Sequence, residues 1–251
     1  MTSMPRAWLA RQPPAPRLGG GRLVVDLGGP HRSLAAAVLG GGLGIMRSWL
    51  NLHVPAGYGR TDPDVHLRQE AAAAGLAGPV VGMLTAAPLE RYQQAAVGEA
   101  WAVATVGVSH ALAAAATRPR SLPPRWAAST PPAVGTINLL VVVAAPLTDA
   151  GLAGALQTAV EAKAQALAAA QVPAANADGF ATGTATDAIC VACPLGSRVP
   201  FAGPATGVGG DLARAVFAAV TAGVAAQRAA GAAAGQARTA MRPGGQGAMQ
   251  R

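Results

Sequence analysis

The sequence predicts a single α/β or α+β domain, a central mixed sheet flanked by helices. Three observations lead there. Short, continuous apolar runs bounded by turn residues read as buried strands. Segments with helix caps and apolar residues at helical spacing fall between them. No internal repeat and no linker divides the 251 residues, a length that suits one large domain or two small ones at ~100–200 residues each.

Residues 1–22, rich in Pro, Arg and Gly without periodicity, read as a flexible basic arm. The domain is placed at 23–226. Its clearest helix is 63–74, with Asp62 at the N-cap, Pro63 at the first helical position, Asp64 in the first turn and Gly75 just past the end. Strands are predicted at Val80–Thr85, Trp101–Val108, Ile137–Val143 and Ala185–Val191. Between the last two lies a helix at about 149–170, opened by Thr148 or Asp149, with Leu152, Leu156, Val160 and Leu167 as its apolar stripe. A final helix at about 211–226 sets Leu212, Val216, Val220 and Val224 four residues apart. Residues 227–251, Ala, Gly and Gln with scattered Arg, read as a frayed helix end and a flexible basic tail.

Nineteen Lys+Arg against 11 Asp+Glu give a formal charge of +8, which invites a nucleic-acid or membrane-surface reading. Its distribution argues otherwise. Residues 1–25 carry +4 and residues 212–251 carry +5, leaving −1 on everything between. No uninterrupted apolar stretch reaches the ~18–20 residues of a membrane helix. The N-terminal residues lack the ~7–15-residue apolar core of a secretory signal. Two cysteines are too few to staple a secreted scaffold, so a reducing cytoplasm is expected.

Alanine accounts for 63 residues, whereas Lys, Asn, Ile, Phe and Tyr together supply only 12. The scarce types gather in short strings. With 18 Arg in the chain, the single Lys, Lys163, suggests that an ammonium is wanted rather than any positive charge. Lys163 lies on the apolar stripe of its helix and must snorkel, pair with an acid or enter a polar pocket. Glu161 is turned ~200° around the helix from it. Asp187 is the better partner, since on an extended segment it shares a face with Ile189, Val191 and Cys193. That pair can be structural or functional.

Thr182-Gly183-Thr184-Ala185-Thr186-Asp187 supplies hydroxyls, a permissive glycine and an acid. It can build a hydrogen-bonded turn, or a site where an acid activates water or a Thr hydroxyl. Asn138, after Gly135-Thr136-Ile137, can offer its amide NH₂ to an oxyanion or cap a strand. The run Gly40-Gly41-Gly42-Leu43-Gly44 matches neither GK[ST] nor GxGxxG, so close backbone approach to a ligand is favoured over phosphate binding. Cys190 and Cys193 fall on opposite faces of a strand and read as buried, inert thiols, with no second pair to complete a zinc site. Glu161, Lys163 and a cysteine have the membership of a Glu-Lys-Cys amidase triad, but not its geometry.

In order, AAAVLGGGLG, WLNLHVP, TDP, VGMLTAA, WAVATVGVS, GTINLLVVV, EAKAQAL and TGTATDAICVACP resemble the adenosylcobinamide amidohydrolase family of cobalamin salvage, from about Ser33 to Pro204. The resemblance implies hydrolysis of the amide between a corrin propionyl side chain and aminopropanol, giving adenosylcobyric acid. It implies a corrinoid as substrate and no cofactor of the protein's own, with metal assistance and oligomeric state left open. On physical grounds we assign Asp187 as general base for water or the Thr184 hydroxyl. Lys163 then tunes it or protonates the leaving amine. Thr136 and Asn138 orient the amide; Asn51, Gly41, Gly42, Glu161 and Gly183 complete the expected substrate contacts. Two other classes stand beside this: a corrinoid-binding module without hydrolysis, and a basic nucleic-acid binder that depends on the two ends.

Overall fold

The computed structural model describes residues 13–116 and 135–240. In chain order its elements are β1 (Arg17–Gly19), β2 (Arg22–Ala35), β3 (Gly42–His53), α1 (Pro63–Ala73), β4 (Val80–Thr85), β5 (Gln93–Val97), β6 (Ala100–Val106), β7 (Ala111–Leu112), β8 (Ile137–Val143), α2 (Asp149–Ala169), β9 (Gly183–Thr184), β10 (Ala188–Pro194) and α3 (Gly207–Ala240). Seven strands run in the order β4-β3-β2-β10-β8-β6-β5, with β1 added on β2 as the eighth. The pairs β3–β4 and β8–β10 are parallel, and the remaining pairs of this sheet are antiparallel. Each parallel pair is joined through a helix, because parallel neighbours require a crossover. A mixed sheet flanked by helices is thus what the chain forms.

Hydrogen bonding shows that the sheet curls. Asn51 on β3 donates to Thr105 on β6 at 2.8 Å, although β6 stands four places along the sheet from β3. At ~4.8 Å per strand, a flat sheet would hold them roughly 19 Å apart. Within the curl, Leu23, Met46, Trp49, Met83, Trp101, Leu140 and Cys190 pack together. On the outer face α2 and α3 cover β6, β8 and β10, meeting alternate residues such as Ile137, Leu139 and Val141. Leu67 and Ala71 of α1 pack beside Val24, Leu50 and Leu52. Strands β8 and β10 are therefore covered on both faces, which is why they read as unbroken apolar runs.

Several expectations shift. The strand placed at Ala185–Val191 begins at Ala188, because residues 185–186 form a turn. Asp62 holds the N-cap position of α1 but its carboxylate bonds Arg60 instead of the helix. Thr148 does cap α2, accepting from Gly151 N–H at 3.0 Å. Leu152 and Leu167 of the α2 stripe are buried, whereas Val160 is 44% exposed. Small residues (Gly151, Ala155, Thr158, Ala159, Ala162, Ala166) form most of the buried face.

The long hairpin β2–β3 is not among the elements expected from the sequence, and its Asp26-Leu27-Gly28-Gly29-Pro30 has the composition of a turn. Those residues instead form an irregularity between the Asp26–Ser48 and His31–Met46 pairs, where proline's missing N–H is tolerated. The segment assigned to a flexible arm is ordered from Arg17: Gly20 and Gly21, with φ of 57° and 72°, turn β1 into β2. Residues 1–12 of that arm lie outside the described residues, as do 241–251 of the tail. The remainder of the tail continues α3 to Ala240, as alanine, the strongest helix former, allows. Over Gly207–Ala233 this is the one helix among the described residues long and apolar enough to cross a membrane, and 44% of an 18-residue apolar stretch of it is buried. Interruptions such as Arg214 hid it from a search for unbroken apolar runs. Its Leu212, Val216, Val220 and Val224 pack into the core.

Cys190 and Cys193 do face opposite sides of β10, the first inside the curl and the second beneath the helices. Burial pushes both thiols up from their ordinary range, which depletes the reactive thiolate. Iodoacetamide at pH 8 is accordingly expected to leave the native protein unlabelled and to modify both cysteines after denaturation. Rapid labelling of the native protein, read by mass spectrometry, would contradict this packing.

Candidate active site

Asp187 stands immediately before β10, on the side that faces α2, and Lys163 reaches it from that helix to form an ion pair. The two side chains are only 8% (Lys163) and 11% (Asp187) exposed. Asp187 Oδ1 accepts from the Thr184 hydroxyl and from Ile137 N–H at 3.0 Å. Its Oδ2 accepts from Lys163 and from Thr184 N–H at 3.1 Å. Charges this enclosed persist only when paired and hydrogen-bonded, and here both conditions hold.

Gly183 makes the room. A Cβ placed on it would lie 2.5 Å from Asp187 Oδ2 and 2.7 Å from Lys163 Nζ. Gly183→Ala is therefore expected to part the ammonium from the carboxylate. The variant should melt several degrees lower and lose at least tenfold in turnover, since overpacking a filled site typically costs ~1–3 kcal/mol. Wild-type melting and turnover together would show that the pair tolerates the added methyl.

Asp187 also borders a cavity of about 500 Å³. Thr136 and Thr186 line it beside Asp187, at the N-terminal ends of β8 and β10. Met83, Leu84 and Thr85 close it from the end of β4. The rest of its wall is Ala36–Val38, Val54–Ala56, Tyr58, Ala86 and Ala188. The Thr136 and Thr186 hydroxyls are 2.7 Å apart, and Thr186 Oγ1 is 3.4 Å from the Gly135 carbonyl. Either hydroxyl can turn its proton to an oxygen in the cavity. The arrangement sets one carboxylate and two hydroxyls against an apolar wall, the ingredients for activating water beside a polarised carbonyl. Among the described residues no three His, Cys, Asp or Glu side chains gather as a metal site would require.

The family model for adenosylcobinamide amidohydrolase matches residues 19–232. The chain belongs to that family. It is 30% identical over 188 residues to the adenosylcobinamide amidohydrolase of Methanosarcina mazei, covering 71% of this chain and 82% of the relative. It is 33% identical over 192 residues to the protein of the same name from Halobacterium salinarum, covering 74% of this chain and 77% of the relative. An uncharacterised protein of Methanocaldococcus jannaschii is 37% identical over 84 residues, a third of each chain.

In this member of the amidohydrolase family, the expected site residues divide. Asp187, Lys163, Gly183, Thr184 and Thr136 come together. Asn51 and Asn138 meet each other instead. The Asn138 amide donates to Asn51 Oδ1 at 2.8 Å and to the Leu84 carbonyl at 2.9 Å, while Asn51 donates to Thr105. Both hydrogens of the Asn138 amide are thus committed, and the expected donation to an oxyanion is withdrawn. Both asparagines are fully buried, and neither lines the cavity; they tie β3 to β6 and β8 across the curl.

Glu161 lies on the exposed side of α2, bonded to Gln157 at 3.1 Å, away from the site. Gly41 and Gly42 also lie off the cavity wall. A Cβ on Gly41 would meet the Ala37 carbonyl at 2.3 Å, and Gly42 takes a φ of 84°. These glycines turn the chain into β3, and the residues just before them, Ala36–Val38, border the cavity. Thr186, Thr85 and Tyr58 were missed as cavity residues. Thr186 was within reach of the sequence, being a third hydroxyl in the TGTATD string. Tyr58, one of two tyrosines, carried the same scarcity signal as Lys163.

Proposed function

We infer that this chain hydrolyses adenosylcobinamide, cutting the amide between the corrin side chain and aminopropanol to release adenosylcobyric acid for cobalamin salvage. The observation that carries the reading is the enclosed Asp187–Lys163 pair on the wall of a cavity of about 500 Å³, inside a chain matched to this family over residues 19–232.

In this scheme the Thr184 hydroxyl turns away from Asp187 Oδ1, and the freed lone pair takes a proton from water as the water oxygen bonds to the amide carbon. The same proton passes to the amine nitrogen as the C–N bond breaks, leaving a carboxylic acid and aminopropanol. Of Thr136 and Thr186, whose hydroxyls share a hydrogen bond, one donates to the other and the second donates to the carbonyl oxygen, where negative charge develops. Lys163 balances and holds the carboxylate, acting as a positioning residue. That Asp187 borders the cavity while Thr184 is not on its wall supports water as the attacking group.

The hydrogen bond from the Thr184 hydroxyl to Asp187 favours one other route, in which Thr184 attacks and an ester forms. Incubation with adenosylcobinamide, with and without a chelator, followed by mass spectrometry tests the function; recovery of unchanged substrate under both conditions would refute it. Added hydroxylamine separates the routes, since it traps an ester at Thr184 as the hydroxamate and leaves the water route unaffected.

A further inference from the structure

We propose that Tyr58 recognises the adenosyl group of the substrate, its ring stacking on the adenine; this rests on the function inferred above. Tyr58 is the one aromatic residue among those that line the cavity. It sits between Gly57 and Gly59 on the segment linking β3 to α1, in a chain with only 9 aromatic residues.

The ring is half-buried and packs against the cluster of Val24, Leu50, Leu52 and Val54. His66 of α1 stacks on it with centroids 5.7 Å apart and planes inclined by 15°. The Tyr58 hydroxyl and His66 Nδ1 share a hydrogen bond of 2.9 Å. His66 Nε2 stands 3.7 Å from Glu70, which pairs with Arg22 at 2.5 Å. The hydroxyl is therefore occupied, and what Tyr58 brings to the cavity is the surface of its ring. An aliphatic corrin edge is served equally well by Val38 and Pro55 on the same wall. A preset aromatic face suits a flat heteroaromatic base, whose stacking is sequence-tolerant and favourable because every base offers a π-face. The anchoring through His66 lowers the ordering cost of that contact.

The test compares adenosylcobinamide with cyanocobinamide, which carries no base. For wild type, Y58F, Y58L and Y58Q, binding is followed by equilibrium dialysis of the coloured corrinoids, with kcat and KM measured alongside. Y58L and Y58Q should bind adenosylcobinamide roughly 5- to 150-fold more weakly, the range expected for one lost base–aromatic stack. The loss should appear in KM, with binding of cyanocobinamide changed less than about threefold and Y58F, which keeps the ring but not its hydrogen bond to His66, falling between wild type and Y58L on adenosylcobinamide. Equal losses on the two corrinoids, or no loss on adenosylcobinamide, would overturn the proposal. Failure of the amidohydrolase reading looks different: the wild type would then bind adenosylcobinamide without converting it, and the Tyr58 comparison would still be decided by dialysis. A wild type that binds neither corrinoid overturns both.

Discussion

Asp187→Asn is expected to lower kcat on adenosylcobinamide by about 10²–10⁴-fold, the usual contribution of a positioned general base, with KM little changed. The variant keeps a side-chain carbonyl but puts an NH₂ where the second oxygen stands. If the carbonyl stays at Oδ1, it still accepts from Ile137 N–H and the Thr184 hydroxyl, while the NH₂ confronts the Lys163 ammonium and Thr184 N–H. If it flips, the hydroxyl of Thr184 and Ile137 N–H lose their acceptor. Neither orientation has a basic oxygen for water. Circular dichroism and a melting curve would establish that the variant is folded before its rate is read. A folded variant with full turnover removes Asp187 from the chemistry, whichever group attacks.

The sequence exposes some parts of this site and hides others for identifiable reasons. Lys163 and Asp187 were readable because each breaks a local pattern: a lone ammonium on an apolar helix face, and an acid in phase with buried strand residues. Helix and strand periods alone place both on the interface between α2 and β10. The two central strands β8 and β10 were equally plain, since burial on both faces leaves no polar alternation to confuse. What no local pattern carries is the curl of the sheet. Asn138 looked free to serve an oxyanion because its neighbours in sequence do not use it; its partners Asn51 and Leu84 arrive from strands far along the sheet. The cavity has the same origin, formed where the end of β4 comes round to the start of β8. Hairpin β2–β3 was obscured for the opposite reason, an irregularity whose Gly-Gly-Pro reads locally as a turn. Alanine hid the buried face of α2, because a small residue packs there without standing out from a chain built of it.

Lys163→Met is expected to lower stability by about 3–5 kcal/mol, the cost of leaving a nearly buried charge without its partner. At ~2–4 °C per kcal/mol for a domain of this size, the melting temperature should fall by roughly 6–20 °C. Activity should fall with it, so the single variant does not separate fold from function. The double variant Lys163→Met, Asp187→Leu does. Replacing a buried ion pair by apolar side chains is often neutral or stabilising, and the surroundings here, Ile189 and Val191 of β10 with Ala162 and Ala166 of α2, are already apolar. Part of the lost stability should therefore return in the double variant while turnover stays absent, the rest being the cost of leaving Ile137 N–H, Thr184 N–H and the Thr184 hydroxyl without their acceptor. Lys163→Arg completes the argument, since it keeps the charge but puts a planar fork where a compact ammonium sits 2.7 Å from the Cβ position of Gly183. Its turnover should fall as the fork displaces Asp187. A double variant that is both stable and active would make the pair a structural device, whereas one that is stable and inactive means that the fold can do without this pair and the reaction cannot.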